Sequence, residues 1–394
     1  MDMFDTFKGE HSEHIEQQSE EILTHLYDRI QVAESEEKPM SEEERLRAGV
    51  RPLLAWYEKN RRILPWRENP EPYRVWISEI MLQQTRVEAV KPYFERFMEA
   101  LPTVADLAEV SDDRLMKLWE GLGYYSRARN LKKSAQVLVA EHGGELPADH
   151  GKLLKLPGIG SYTAGAIASI AFGIAVPAVD GNVLRVISRL TASREDILKP
   201  ATRRKVESLV QSVIPQGRAS DFNQALIEIG AIVCVPNGEP KCMVCPFESL
   251  CLAHRRNLTG EIPVKTPKKQ RRIEERTVCI LEDKDQRIAI GKRPDQGLLA
   301  GLYELPNADG QLEPERLAEV FGFDPGQVVE VEILPKTKHI FSHVEWRMIG
   351  YRVLLSGAVP DRFLAVGRRE LMETYPLPGA FAGYTKEILR ETGK

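Results

Sequence analysis

Apolar positions recur at helical spacing through most of the first two thirds of the chain. From Val50 to about Leu252, stretches such as Tyr73–Val90, Ser111–Glu120, Asn130–Glu141, Ser161–Phe172 and Asn182–Leu190 read as helices, and strand-like alternation is scarce. Gly and Pro punctuate these runs, which predicts an all-α domain in one or two lobes. Beyond about residue 275 the texture changes. Thr277–Glu282, Arg287–Lys292, Gln327–Leu334 and Arg347–Leu355 are rich in β-branched residues, and short helical patterns fall at Pro314–Val320 and Arg369–Met372. A separate α+β domain is predicted there. Between the two, residues 255–275 carry many Lys and Arg, two prolines and little apolar content, which marks a linker. The first 48 residues are Glu-rich, with one amphipathic patch at Ile22, Leu23, Leu26 and Ile30. The expected organisation is an acidic extension (1–48), a helical domain (49–254), a basic linker (255–275) and an α+β domain (276–394).

Charge changes this picture slightly. The 394 residues carry a net −4, but residues 1–50 alone hold 14 acids against 5 bases, which leaves the body mildly basic. A basic body is compatible with a polyanionic partner. Apolar runs stop short of the ~18–20 residues that a membrane span needs, so no membrane partner is expected. The N-terminus, MDMFDTFKGEHSEHIEQ, lacks a basic start followed by an apolar run. With no targeting signal seen, a cytoplasmic location is expected. Five cysteines then argue for thiols in a reducing compartment rather than a disulfide framework.

Four of those cysteines, Cys234, Cys242, Cys245 and Cys251, follow one another as C-x7-C-x2-C-x5-C. Convergent thiolates without disulfides point to a metal or a cluster. Zinc usually takes two tight pairs, and only Cys242 and Cys245 are tightly paired. A [4Fe–4S] cluster accepts looser spacing and is favoured once the rest of the chain is considered; in a zinc site His254 could replace one thiol. Cys279 lies in a strand-like run and reads as a small buried hydrophobe. Upstream, Leu156-Pro157-Gly158-Ile159-Gly160-Ser161 is a Gly-rich turn opening a helix, with Asp149–Leu156 as the helix before it. Gly158 and Gly160 permit close backbone approach, and unpaired N–H groups of the second helix could meet a DNA phosphate. A plain helix–helix corner is the alternative.

In order, LPWRENPEPYRVWISEIMLQQTRVEAVKPYFERF, GLGYYSRARNL, LPGIGSYTAGAIASIAFG and VDGNVLRVISRL lead into the cysteine cluster. This succession resembles the adenine DNA glycosylases of the MutY type, in the endonuclease III superfamily, over about residues 50–394. The resemblance implies a multidomain protein: an all-α helix-hairpin-helix glycosylase domain with an iron–sulfur cluster loop, then an α+β Nudix-like domain. It implies excision of adenine mispaired with 8-oxoguanine, or less well with guanine, from double-stranded DNA by a monomer associated with the nucleoid.

The resemblance also implies roles. Glu79, which shares a helix face with Trp76 and Gln83, is the general acid for adenine and needs a raised pKa. Taken alone it could be a solvated surface residue. Asp180 is the carboxylate facing the cationic sugar, although Asp before Gly181-Asn182 also suits an ordinary helix N-cap; Asn182 supports it. Tyr162 stands where the bifunctional relatives carry a Schiff-base lysine, and a phenol cannot form that adduct. A monofunctional enzyme with little lyase activity is expected, with Tyr162 positioning the sugar or Asp180. Gln83, Gln84 and Tyr124 resemble the residues that enter the stack beside the estranged base. Arg62, Trp66, Arg67 and Gln224 resemble adenine-pocket positions, and Arg127 and Arg129 are expected at phosphates. Lys241, Arg255 and Arg256 make the cluster loop a candidate DNA contact.

Gln296–Pro306 resembles the start of a Nudix-type domain, but no Arg-Glu-x-x-Glu-Glu run follows, so diphosphate hydrolysis is not expected. Phe341-Ser342-His343 resembles the family's 8-oxoguanine recognition loop; a capped strand end is the plainer reading. The first cysteine gap is seven residues where the family has six. Rival readings are a glycosylase/lyase, a DNA-binding module with structural zinc, and a Nudix hydrolase.

Overall fold

The computed structural model describes residues 40–267 and 270–390. The amphipathic patch at Ile22–Ile30 lies outside the described residues. The first helix, α1 (Glu42–Asn60), starts inside the stretch read as acidic extension. The Ser41 hydroxyl accepts the Glu44 N–H, and the Glu44 carboxylate accepts the Ser41 N–H, which closes a capping box. Leu46, Leu53 and Tyr57 on α1 are buried, so the acids at 42–44 belong to the first turn of a packed helix.

What reads as one run, Tyr73–Val90, is two helices, α2 (Pro72–Leu82) and α3 (Val87–Ala100). The break falls where Gln84 takes a left-handed conformation, φ 58°. After two short helices, Val104–Glu109 and Asp112–Leu118, come α4 (Ser126–His142), α5 (His150–Leu153) and α6 (Ser161–Ile170). Helix α5 is shorter than the expected Asp149–Leu156; Asp149 caps it, and turns carry the chain on to Gly158. Helices α7 (Gly181–Leu190), α8 (Pro200–Gln211) and α9 (Ala219–Ile232) complete the set that matters for the site.

The helical region has two apolar cores, which makes it bilobal. One surrounds Trp76, Phe94, Phe97, Trp119 and Ile167. In the other, α1 crosses back in the chain to pack with Val183, Ile187, Phe222 and Leu226. Tight approach between helices depends on small residues: a Cβ on Gly230 of α9 would lie 2.5 Å from the Cβ of Asn182 on α7.

The second region holds a seven-stranded mixed sheet. Its strands are β1 (Arg272–Glu282), β2 (Ile288–Lys292), β3 (Tyr303–Glu304), β4 (Asn307–Asp309), β5 (Val328–Ile340), β6 (Val344–Leu355) and β7 (Leu364–Val366). The order is β3-β2-β1-β6-β5, with β4 on β1 and β7 on β2; β1 and β6 run parallel. Apolar cores cover both faces, one around Trp346, Phe381 and Tyr384, the other around Leu317, Phe321 and the fully buried Cys279. The regions are docked: Leu299 and Leu302 join the first helical core, Lys292 pairs with Asp113 at 3.0 Å, and Lys117 donates to the Tyr375 carbonyl at 3.1 Å.

Candidate active site

A cavity of about 620 Å³ opens between the two helical lobes, within the range that takes a nucleoside-sized ligand. Glu79 reaches it from α2, Tyr162 from the start of α6, and Asp180 and Asn182 from the start of α7. The two carboxylates share this one space. Glu79 is almost wholly buried, and its carboxylate accepts a hydrogen bond from the Tyr162 hydroxyl. Burial raises the Glu79 pKa to about 7; the Tyr162 hydrogen bond and the charge of Arg67 work against that rise, and the charge of Asp180 adds to it. Tyr162, expected to position the sugar or Asp180, is hydrogen-bonded to the acid and lines the same cavity as Asp180. The phenol finds the carboxylate because α6 begins beside α2, a juxtaposition that the local sequence does not display.

Asp180 is both an N-cap and a cavity residue, so the two readings of it coincide. Its Oδ1 accepts the N–H groups of Asn182 and Val183, each at 2.8 Å, and its Oδ2 accepts the Asn182 side-chain amide at 2.7 Å. Burial pushes its carboxyl above the ordinary value, and these three donors resist the rise. Asn182 in turn accepts from Arg185 at 2.8 Å, and Arg185 donates to the Cys234 carbonyl at 2.7 Å.

Arg62, Trp66, Arg67, Gln83, Gln84 and Gln224 also line the cavity. One residue that the sequence reading missed organises this wall. Glu228, fully buried on α9, accepts Arg62 through N, Nε and Nη2 and Arg67 through Nη2, all at 2.8–3.0 Å. Although burial opposes it, these two arginines hold its carboxyl down to about 2. Its signal in the sequence is a lone acid in the otherwise uncharged run Ala225–Ile232.

The turn before α6 is built as expected for a helix-hairpin-helix. Gly158 has φ +75°, and a Cβ there would meet Asn130 at 2.6 Å. Gly160 precedes α6 without a side-chain cap, which leaves the first N–H groups of that helix without an intrahelical partner.

A second cavity, of about 750 Å³, lies between the helical and sheet regions. The β5–β6 hairpin brings Phe341, Ser342 and His343 to one side of it, opposite Tyr124 and Gln84, so Gln84 borders both cavities. Tyr124 is 46% exposed with φ 50°, while Tyr125 is buried. Arg271, assigned by sequence only to the linker, also lines this space and donates to the Phe341 carbonyl at 3.2 Å.

One of the two expected phosphate contacts is corrected. The Arg127 guanidinium is buried and donates to backbone carbonyls. Arg129 donates to the Ala300 carbonyl at 2.8 Å, which fastens the two regions together. An arginine three residues after Tyr124 looks exposed on a helical wheel, but Arg127 also reaches carbonyls more than 40 residues upstream.

Cys234, Cys242, Cys245 and Cys251 line one small void with Arg189 and His254. Arg189 reaches the Cys234 sulfur at 3.2 Å. Burial pushes the Cys245 thiol up to about 12 and raises Cys242 and Cys251. Among the described residues no group of three or more His, Cys, Asp or Glu is disposed to hold a metal ion. The four thiols around one void are the side chains that would hold a metal or a cluster there. Lys241, Arg255 and Arg256 are exposed around this loop. No described helix is long and apolar enough to cross a membrane.

Residues 77–213 match the model of the HhH-GPD superfamily of base excision DNA repair proteins, and residues 277–387 match a NUDIX domain. The chain is 35% identical to the human adenine DNA glycosylase, over 86% of this chain and 72% of that one. Against the Arabidopsis thaliana adenine DNA glycosylase it is 37% identical, over 82% of this chain and 59% of the other. Among solved structures, an endonuclease III–DNA complex is similar over 55% of this chain and 98% of its own, at 27% identity and a TM-score of 0.48.

Proposed function

The chain belongs to the adenine DNA glycosylase family, base-excision repair hydrolases that act on adenine in DNA, and we propose that it removes adenine mispaired with 8-oxoguanine, or less well with guanine, without cutting the strand. One observation carries the chemistry: a protonatable Glu79 and a donor-bound Asp180 line the same nucleoside-sized cavity.

Adenine swings out of the stack into the cavity against Trp66 and the Glu228-held arginines. A neutral adenine is a poor leaving group, so Glu79 gives a proton to the ring as the C1′–N9 bond breaks. Its burial keeps the acid form available near pH 7. The sugar becomes oxocarbenium-like, and Asp180 stabilises it. Each hydrogen bond to Asp180 comes from a donor, which favours the anion, and its place at the start of α7 aligns it with the helix dipole. Water then attacks, and Glu79, now ionised, can take its proton. Tyr162 offers a phenol where a Schiff-base amine would be needed for strand cleavage.

The cavity between helical and sheet regions is the proposed site for the opposite base. Ser342 would hydrogen-bond the lesion edge, with Phe341 and His343 beside it and Gln84 and Tyr124 filling the gap in the duplex. Gly158, Gly160 and the start of α6 would take phosphates. The four cysteines would hold a [4Fe–4S] cluster, which when bound shapes the basic loop around Lys241, Arg255 and Arg256. Single-turnover release of adenine from an A·8-oxoguanine duplex tests the whole reading. An abasic site that breaks only after alkali is expected; strand cleavage without alkali, with a borohydride-trapped adduct, would overturn the monofunctional assignment.

A further inference from the structure

Arg127 is a buried cation whose hydrogen bonds, among the described residues, all end on neutral oxygens. Its Nη1 donates to the carbonyls of Ile80, Met81 and Gln83 at 2.6, 2.9 and 2.8 Å. Its Nη2 donates to those of Leu122 and Gly123 at 3.2 and 3.0 Å. The guanidinium lies 5.2 Å from the centroid of Trp119 and 5.7 Å from that of Tyr124. The Gly123 carbonyl also accepts the Trp119 indole N–H at 3.1 Å.

These contacts join two places that are distant in the chain. The first three carbonyls are the end of α2, immediately after Glu79. The other two form the turn that displays Tyr124. Both turns carry a non-glycine residue in the left-handed region, Gln84 at φ 58° and Tyr124 at φ 50°, a conformation that needs support from its surroundings. Burying a lone cation is costly, and an apolar or glycine cap would end a helix more cheaply. Burial already lowers the Arg127 pKa to about 10.

We propose that Arg127 is a positioning residue that makes the two turns one rigid unit, so that Gln84 and Tyr124 enter the duplex together and their insertion is tied to the helix presenting Glu79. This rests on the glycosylase reading above. The guanidinium suits the task because its planar fork reaches several carbonyls at once and offers a flat face to the Tyr124 ring.

The test compares the full-length chain with Arg127→Met and Arg127→Lys in single-turnover excision of adenine. One substrate is a mispaired duplex, in which adenine must be unstacked. The other places the same adenine in an unpaired bubble, where extrusion costs less. Arg127→Met is expected to slow the duplex reaction roughly 100-fold and the bubble reaction far less, since misplacement of a supporting group costs about that much. Arg127→Lys, which keeps the charge but cannot span both turns, is expected to show the same selective loss in weaker form. It decides the matter if the Met variant does not fold. Equal losses on both substrates, or no loss on either, would overturn the role given to Arg127 and leave the glycosylase reading standing. A wild-type chain that releases adenine from neither substrate would overturn both.

Discussion

The Glu79 assignment predicts a definite pH profile. Burial moves its carboxyl from an ordinary 4.5 to about 7. At 1.36 kcal/mol per unit this is roughly 3 kcal/mol of preference for the protonated form. At pH 7 about half of the molecules would carry the proton, against roughly one in 300 for an unperturbed glutamic acid, a gain of some 150-fold in competent enzyme. A raised pKa means that the acid form is present below about 7 and is lost above it. Single-turnover adenine release, measured from about pH 5.5 to about 9, should therefore be level on the acid side and fall roughly tenfold per unit on the alkaline side. Tyr162→Phe sharpens the test. The Tyr162 hydroxyl donates to the carboxylate and so favours ionisation; its loss should move the descending limb to higher pH. A flat alkaline profile, or a limb that moves down in Tyr162→Phe, would refute the assignment.

Asp180→Asn should still bind lesion duplex while single-turnover excision falls roughly 1,000-fold, as for other groups that stabilise transition-state charge; a near-normal rate would remove Asp180 from the chemistry. Glu228→Gln should cost about 3–5 kcal/mol in a urea unfolding titration, because it leaves Arg62 and Arg67 without their buried counterion. The wild-type pair should lend stability that is present above about pH 4.5 and fades as pH falls towards 2, since the folded pKa of Glu228 is depressed. Ser342→Ala combined with His343→Ala should reduce the preference for 8-oxoguanine over guanine in competition binding, and unchanged discrimination would put lesion recognition elsewhere.

The fold was legible wherever local pattern and global packing agree. Helical spacing located most helices of the first region, and β-branched runs located the longer strands. The errors sit where a distant partner overrides the local signal. Tyr73–Val90 keeps helical periodicity across a break, and the carbonyls at the end of α2 are taken by Arg127, more than 40 residues downstream. Strand β5 extends to Ile340, six residues past the expected end at Leu334, and includes Pro335 next to a register shift after Leu334. Around the site, Glu79 and Asp180 were named through motif resemblance, whereas Glu228 and Arg271 were missed. A lone acid in an apolar helix was the available signal for Glu228, and nothing local marked Arg271.

In the proposed reaction the two carboxylates would work as a pair because one cavity gives them unequal surroundings. Glu79 projects from the middle of a buried helix, where every backbone N–H is already engaged, and receives a single hydrogen bond from a phenol. Solvation of its charge is poor, so the proton is retained. Asp180 stands at a helix start, where unpaired N–H groups are unavoidable, and takes two of them plus the Asn182 amide. Neither position suits the other role: at the N-cap the donors favour the anion over a proton donor, and in α2 an anion would be poorly solvated. The division of labour thus follows from where each residue lies along its helix. Arg185 extends the same logic outward, since it fixes Asn182 from one side and the Cys234 carbonyl from the other. An Arg185→Met chain should accordingly lose more in excision rate than in duplex affinity, because phosphate contacts that dominate affinity lie elsewhere; equal losses would mean that the link serves stability alone.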